Sequence, residues 1–404
     1  MRSILLTIIG SLLAAGLALA GELKLVDGRA VLGEPVKIGG GVVTWKSTGQ
    51  PEQAIPLDQI VRLDIFPFPA RSLSEAWTDL ELTDGTTLRA AKAGFRSGQL
   101  GIDLVGGGQI ELPMKSVANV LFQAQREEWR KDWTTRLAQR RRRDVLAVLR
   151  QEAVNALEGT LGETDAEGKT ILFTPSGTDR TVPVPLANIH GLIFERLPDA
   201  SLAPVIGRVT DAGGSVWLAS EFSLEGGKWK VKTSGGLTRE YASGTGPSRI
   251  DLSRGKVAYL SDLKWMRVTD PLAADPFRFR AGPTLDKNLD LGPIRMGGTT
   301  YAKGLALAAT TEVEYDLGGE YRDFRLMAGF DDAVSGGGPV VLRIEGDGKE
   351  LLRQTLARQG RRVSVPIVVP VKDVRRLTIT VEPASADDVV YGHHVHLGDA
   401  RLTR

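Results

Sequence analysis

Three histidines within four positions, His393, His394 and His396, form the densest group of metal-ligating side chains in this 404-residue sequence, which has four histidines in all. On a strand His394 and His396 share a face. Two imidazoles so placed can hold zinc or copper if Asp387, Asp388 or Asp399 supplies a third ligand. At a strand end the same side chains can instead make ordinary hydrogen bonds. Asp331-Asp332 is the second cluster. Its hard oxygens suit calcium or sugar hydroxyls, and an Asp pair that ends a strand also caps the turn toward Gly336. The candidate metal set is therefore Asp331, Asp332, His394 and His396. No cofactor is demanded by the sequence, and calcium is the one the acidic pair would take. A saccharide in water is gripped by an aromatic platform and a few planar polar groups. Tyr301, Phe330 and Tyr391 are the candidate platforms, with Trp265 a further one. Asp332, Arg343 and His394 are the candidate polar groups, with Arg325 beside them. Tyr315 and Phe324 fall on the buried period of their strands and read as core.

Signatures of catalysis are missing. The sequence has no G-x-S-x-G elbow, no H-E-x-x-H, no P-loop and no G-x-G-x-x-G between strand and helix. A glycosidase carboxylate pair leaves no local motif, but the modules here are too small and sheet-like to suggest a catalytic barrel. The reading is of a protein that is not an enzyme. Cysteine is absent, which excludes disulfides, thiolate metal sites and cysteine nucleophiles. A net charge of +2, evenly spread, argues against nucleic acid as a partner. Apolar residues at 42% and charged residues at 25% fit ordinary folded domains, and 47 glycines favour many turns.

The elements that must position these residues are strands. ELKLVDGRAVLG (22–33) and LELTDGTTLRA (80–90) are alternating runs broken by Asp27-Gly28 and Asp84-Gly85, a tight-turn signal. Each copy ends in an apolar-Pro signature, AIPLDQIVRLDIF (54–66) and IELPMKSVANVLF (110–122), and the Asp-to-Pro spacing is 29 residues in both. A third copy ends in VPVPLANIHGLIF (182–194). Its opening alternates at Val145, Ala147 and Leu149 and reads as a degenerate hairpin rather than a helix. A looser fourth copy contains VIGRVTDAGGSVWLAS, with a hairpin around Gly213-Gly214. One such hairpin set cannot bury both faces, so closure into an SH3-like or Sm-like barrel is expected. Between copies two and three, Trp129, Trp133 and Leu137 recur four apart and mark a linking helix, with Arg140 to Arg143 as a basic, solvated end.

At the N-terminus, Arg2 precedes an apolar stretch from Ile4 to Ala20 that closes on Ala18-Leu19-Ala20. This predicts a cleaved signal peptide, hence a secreted or periplasmic protein with no transmembrane segment after cleavage.

From Lys256 the texture changes to cleanly alternating strands, with Leu305 and Leu307, Val313 and Tyr315, and Leu377, Ile379 and Val381 sharing faces. Turns fall at Gly336 to Gly338 and at Asp347-Gly348, and an antiparallel jelly roll of about eight strands follows. Several runs here resemble the NPCBM family, a carbohydrate-binding-type module first noted beside family 98 glycoside hydrolases. They are YLSDL (259–263), Tyr301-x-Lys303-Gly304-Leu305, EYDLGGEYRDF (314–324), Gly329-Phe330-Asp331-Asp332, EGDGK (345–349) and Gly398-Asp399-Ala400-Arg401-Leu402. The resemblance implies a galactose-binding-like sandwich and a glycan-binding role. One departure stands out. Family members end in an Asp-His-x-Asp-Trp type strand, where this chain has His393, His394, Val395, His396 and Leu397.

The expected architecture is all-β. It comprises a signal peptide (1–20), small barrels at 21–68, 78–123, 144–197 and 204–256, a linking helix at 124–143 and the sandwich at 257–404. The expected function is exported, non-catalytic glycan binding by rim loops of the sandwich. The alternative is a structural protein of the cell envelope that binds other envelope proteins and has no sugar site.

Overall fold

The computed structural model describes residues 21–65, 76–96, 98–139, 142–150, 153–196, 201–270, 283–333, 338–358, 364–385 and 393–404. The expected signal peptide and Tyr391 lie outside the described residues, as do Asp387 and Asp388. The chain divides into two compact units, Met1–Leu252 and Ser253–Arg404.

The first unit contains the four copies. Copy one is β1 (Gly21–Leu25), β2 (Ala30–Gly39), β3 (Val42–Lys46), β4 (Gln53–Pro56) and β5 (Ile60–Asp64). Copy two is β6 (Thr78–Leu82), β7 (Thr87–Arg96), β8 (Gln99–Leu104), β9 (Gln109–Pro113) and β10 (Val117–Leu121), followed by the helix α1 (Glu127–Leu137). Copy three is β11 (Asp144–Arg150), β12 (Ala153–Thr164), β13 (Thr170–Pro175), β14 (Val182–Pro185) and β15 (Ile189–Ile193). Copy four is β16 (Gly207–Asp211), β17 (Val216–Glu225), β18 (Lys228–Thr233), β19 (Thr238–Glu240) and β20 (Pro247–Asp251).

The apolar-Pro signature has a local cause. In the first three copies the fourth strand ends at Pro56, Pro113 or Pro185, and a one-turn 3₁₀ helix then redirects the chain into the fifth strand. Proline's fixed φ and missing N–H suit a strand's last position before such a turn. The fifth strand pairs back onto the first in every copy, so Leu23 faces Leu63, Leu80 faces Val120, Leu146 faces Leu192 and Val209 faces Ile250. All eight are essentially inaccessible to solvent. The opening of copy three is the hairpin that its alternation implied, β11 on β12.

The copies are not beads on a string. β5 pairs with β20 through Leu63 and Ile250, and β10 pairs with β15 through Val120 and Leu192. Copy one thus joins copy four, and copy two joins copy three. Both antiparallel joints centre on the same position of the repeat. At the first joint the buried Asp64 carboxylate accepts bonds from Arg62 Nε at 2.6 Å and Arg249 Nε at 2.5 Å. At the second, Gly191 leaves room for an indole, since a Cβ there would sit 2.4 Å from the Trp133 ring. Trp133 Nε1 donates to Asn119 Oδ1 at 3.2 Å, and Asn119 Nδ2 donates to Glu81 Oε2 at 2.8 Å. The Trp129 ring stands edge-on to buried His190 at 4.6 Å. The helix expected as a linker therefore covers a joint between two copies. Its ion pair Lys131–Glu127 is exposed, while Arg136, paired with Asp132 at 2.5 Å, is half-buried and also donates to Val154 O at 3.5 Å. Arg142 and Arg143 are exposed, while Arg140 and Arg141 lie outside the described residues.

The second unit has β21 (Val257–Tyr259), β22 (Trp265–Thr269), β23 (Thr284–Leu285), β24 (Ile294–Met296), β25 (Thr299–Tyr301), β26 (Gly304–Ala308), β27 (Glu312–Asp316) and β28 (Asp323–Gly329). It continues with β29 (Val340–Gly346), β30 (Lys349–Leu356), β31 (Ser364–Pro370), β32 (Arg376–Pro383) and β33 (His394–Thr403). One sheet runs β23-β26-β33-β28-β31 with β21 on β33, and the other runs β22-β27-β32-β29-β30. Together they form an antiparallel sandwich. Leu305, Val395 and Leu397 of the first sheet pack with Val313, Tyr315 and Ile379 of the second. Strand alternation then puts His394, His396 and Gly398 on the first sheet's opposite face. Asp399, at φ +53°, marks an irregularity in the β33 pairing, and beyond it Ala400 and Leu402 return to the core.

Candidate functional site

The face of β33 away from the core is not open. The β24–β25 hairpin lies over it, because a Cβ on Gly398 would meet the Tyr301 ring at 2.6 Å and the Met296 methyl at 2.8 Å. The hairpin is tied down from the end of β28. Asp332 Oδ1 and Oδ2 accept the Gly297 and Gly298 N–H groups at 2.7 and 2.8 Å, and the Asp332 N–H donates to Arg295 O at 2.9 Å. Gly297 and Gly298 both have positive φ, as a two-residue hairpin turn requires.

Beneath lies a buried polar cluster. Asp331 is 2% exposed. Its Oδ2 accepts from Asn288 Nδ2 at 3.0 Å, its Oδ1 accepts from the Ala333 N–H at 2.7 Å, and its carbonyl accepts from Arg358 Nη2 at 2.7 Å. His396 Nε2 stands 3.9 Å from Asp331 Oδ2, and the His394 and His396 rings are 5.2 Å apart. Burial, helped by His394 and opposed by Asp331, pushes the His396 pKa down to about 4. The imidazole is therefore neutral at physiological pH.

The structure brings Tyr301, Phe330, Asp331, Asp332, His394 and His396 into one region and leaves Arg343 elsewhere. Arg343 lies on the other sheet, paired with Glu345 at 3.1 Å and Glu382 at 3.4 Å. Trp265 is half-buried on β22 of that sheet, and Arg325 is bonded to Asp323. Phe330 does not supply a platform. It is 2% exposed, and the Arg358 guanidinium sits 5.3 Å over its ring. Its buried position follows from the sandwich core, which it joins at the end of β28. His394, also buried, lies edge-on to Phe330 and does not face solvent. Tyr301 remains half-buried, with its phenol pKa raised by burial and then by Asp399 and Asp332.

Among the described residues no group of three or more histidines and carboxylates could hold a metal ion. Each of the four carboxylate oxygens of Asp331 and Asp332 accepts one of the N–H bonds given above. Two residues of the site gave no signal in the sequence: Asn288, whose Oδ1 also binds the Gly292 N–H at 2.7 Å, and Arg358. A third polar group was visible only as motif. Lys303 Nζ meets Asp262 at 2.5 Å and Asp286 at 2.9 Å, and the Lys303 carbonyl accepts the Asp399 N–H at 2.8 Å. Burial works against its charge, but the two carboxylates outweigh it and raise its pKa. The Tyr-x-Lys-Gly-Leu, YLSDL and Gly-Asp-Ala-Arg-Leu motifs thus meet in one framework of hydrogen bonds.

Residues 256–403 match the model of the NPCBM/NEW2 domain. The chain is 26% identical over 133 residues to a protein of Renibacterium salmoninarum whose name assigns it endo-alpha-N-acetylgalactosaminidase activity. That stretch is 33% of this chain and 9% of that protein. Among solved structures, the chain is similar to a CBM51 module of a Clostridium perfringens GH95 protein in complex with methyl-galactose, at 21% identity and a TM-score of 0.31, covering 36% of this chain and 99% of that one. It is also similar to the tandem CBM51 modules of a family 98 glycoside hydrolase from Streptococcus pneumoniae, at 14% identity and a TM-score of 0.30, covering 80% and 87%. Residues 256–403 thus match the NPCBM family, the one that the sequence motifs resemble.

Proposed function

We propose that this chain is an exported, non-catalytic glycan-binding protein whose saccharide sits at the rim of the C-terminal sandwich, against Tyr301. The observation that carries the reading is the NPCBM match at residues 256–403. Its β24–β25 hairpin offers a half-buried phenol, Tyr301, and the Asp332 carboxylate fixes the turn of that hairpin. Tyr301 supplies the apolar ring face, and the Asp332-braced turn holds that face still, so little side-chain freedom is lost on binding. The sandwich is a binding module in this reading, and catalysis belongs to other proteins. No helix among the described residues is long and apolar enough to cross a membrane.

A second reading has its own support. Phe330 and His394 are buried, both Asp332 oxygens are engaged by backbone, and Leu397 stands where the family has Trp. These features favour an envelope protein whose sandwich has lost its sugar. A glycan array probed with the full chain, with and without calcium, separates the two. Saturable, calcium-independent binding that Tyr301→Ala removes supports the proposal. Silence across the array from a folded protein supports the envelope reading.

A further inference from the structure

The NPCBM match leaves unexplained a cavity of ≈ 300 Å³ in the other unit, between copy two, α1 and the Gly214 turn of copy four. Six side chains carry its chemistry. β6 contributes Asp79 and Glu81, β7 contributes Arg89, β10 contributes Asn119, and α1 contributes Arg130 and Trp133. Its volume is at the lower end of small-molecule sites.

The polar groups are only partly satisfied by one another. Asp79 Oδ1 accepts from Trp77 Nε1 at 2.9 Å and from Arg89 Nε at 3.3 Å. Glu81 Oε2 accepts from Asn119 Nδ2. Arg130 Nε is buried without a hydrogen-bond partner among the described residues. Its charge reaches Asp79, yet the two form no ion pair. Burial holds the Asp79 carboxyl above its usual value against the pull of Arg89 and Arg130.

Two carboxylates and two guanidinium groups cancel, so the lining favours neither an anion nor a cation. It offers acceptors (Asp79 and Glu81) and donors (Arg130 and the remaining Asn119 N–H) around one space, with an indole edge beside them. Adjacent hydroxyl groups on a ring satisfy such a set, because each can donate to a carboxylate and accept from a guanidinium. We propose that this cavity binds a neutral, polyhydroxylated ring of monosaccharide size, which makes it a second saccharide site independent of the sandwich rim.

The test uses the full chain labelled with 5-fluorotryptophan. The Trp133 ¹⁹F resonance is assigned with Trp133→Phe. Glucose, galactose, N-acetylglucosamine and N-acetylgalactosamine are titrated, with arginine and inorganic phosphate as charged probes. The expected result is a saturable shift of the Trp133 resonance with at least one neutral sugar and none with either charged probe. Glu81→Gln, which is nearly isosteric, should weaken that response about tenfold, as loss of one charge-assisted hydrogen bond implies. Its melting temperature should be unchanged. Tyr301→Ala in the sandwich should leave the response intact, so failure here and failure of the rim site are read separately. A Trp133 resonance that no neutral sugar moves overturns the proposal. So does one moved by a charged probe, or a sugar response that survives both Glu81→Gln and Arg130→Gln.

Discussion

Acid should loosen the C-terminal sandwich through His396. The side chain is 1% exposed, lies beside His394, and faces Asp331 at 3.9 Å. Its pKa falls from 6.5 to about 4 on folding, because burial disfavours the imidazolium. The unfolded chain therefore takes up a proton below about pH 6.5 that the folded sandwich refuses until about pH 4. Stability is full above the higher value, falls as pH drops between the two, and levels off below the lower one. At about 1.4 kcal/mol per unit, the whole interval corresponds to about 3 kcal/mol, most of it lost by about pH 4.5. Trp265 is the sandwich's one tryptophan, so its ¹⁹F resonance in the labelled full chain reports unfolding of this unit alone. Urea titrations at pH 8 and pH 4.5 give the two stabilities, and the same pair on His396→Gln subtracts the contribution of other titrating groups. The loss between the two pH values should be about 2–3 kcal/mol larger in the wild type than in His396→Gln. Equal losses in the two proteins would refute the argument that the buried imidazole is held neutral.

Three further outcomes follow from the first unit. Gly191→Ala should destabilise it by about 2–3 kcal/mol in urea denaturation, since the new methyl must displace the Trp133 ring and crowd the Val120 carbonyl at 2.8 Å. Trp133→Phe keeps most of the ring but strands the Asn119 carbonyl, and should cost about 1 kcal/mol in the same assay. Asp64→Ala removes the shared acceptor of Arg62 and Arg249, and should cost about 1–2 kcal/mol, limited by the exposure of both guanidinium groups. If Asp64→Ala left the urea midpoint where it was, the joint between copies one and four would not depend on that ion pair.

Much of the fold was legible in the sequence because its punctuation is chemical. Asp27-Gly28 and Asp84-Gly85 mark turns that need positive φ, and Gly28 and Gly85 adopt it. Pro56, Pro113 and Pro185 mark strand ends because proline cannot continue a ladder. The joining of copy one to four and two to three was not legible. Pairing partners are chosen by edges that meet only after folding, and no local pattern around Leu63 or Val120 names a partner strand. Ile189 to Ile193 is buried at every position because α1 covers the strand's second face, with Trp129 and Trp133 against His190 and Gly191. The candidate site was legible as a neighbourhood and not as a surface. Alternation told which residues share a face, but not that residues 294–301 cover the face of β33 carrying His394 and His396. Phe330 is not a platform for a different reason, since it joins the sandwich core at the end of β28. Asn288 and Arg358 reach Asp331 across 43 and 27 positions of sequence, distances at which no local pattern operates.

Glycan binding at the sandwich rim through Tyr301, as proposed above, is open to a direct test. Its most direct measurement is a calorimetric titration of the best saccharide from the array into wild-type chain and Tyr301→Ala at pH 7.5. The wild type should show one saturable event at the sandwich, weakened about tenfold or more by loss of the ring face. Identical affinities in the two proteins, or no heat from any saccharide with the sandwich folded, would contradict it.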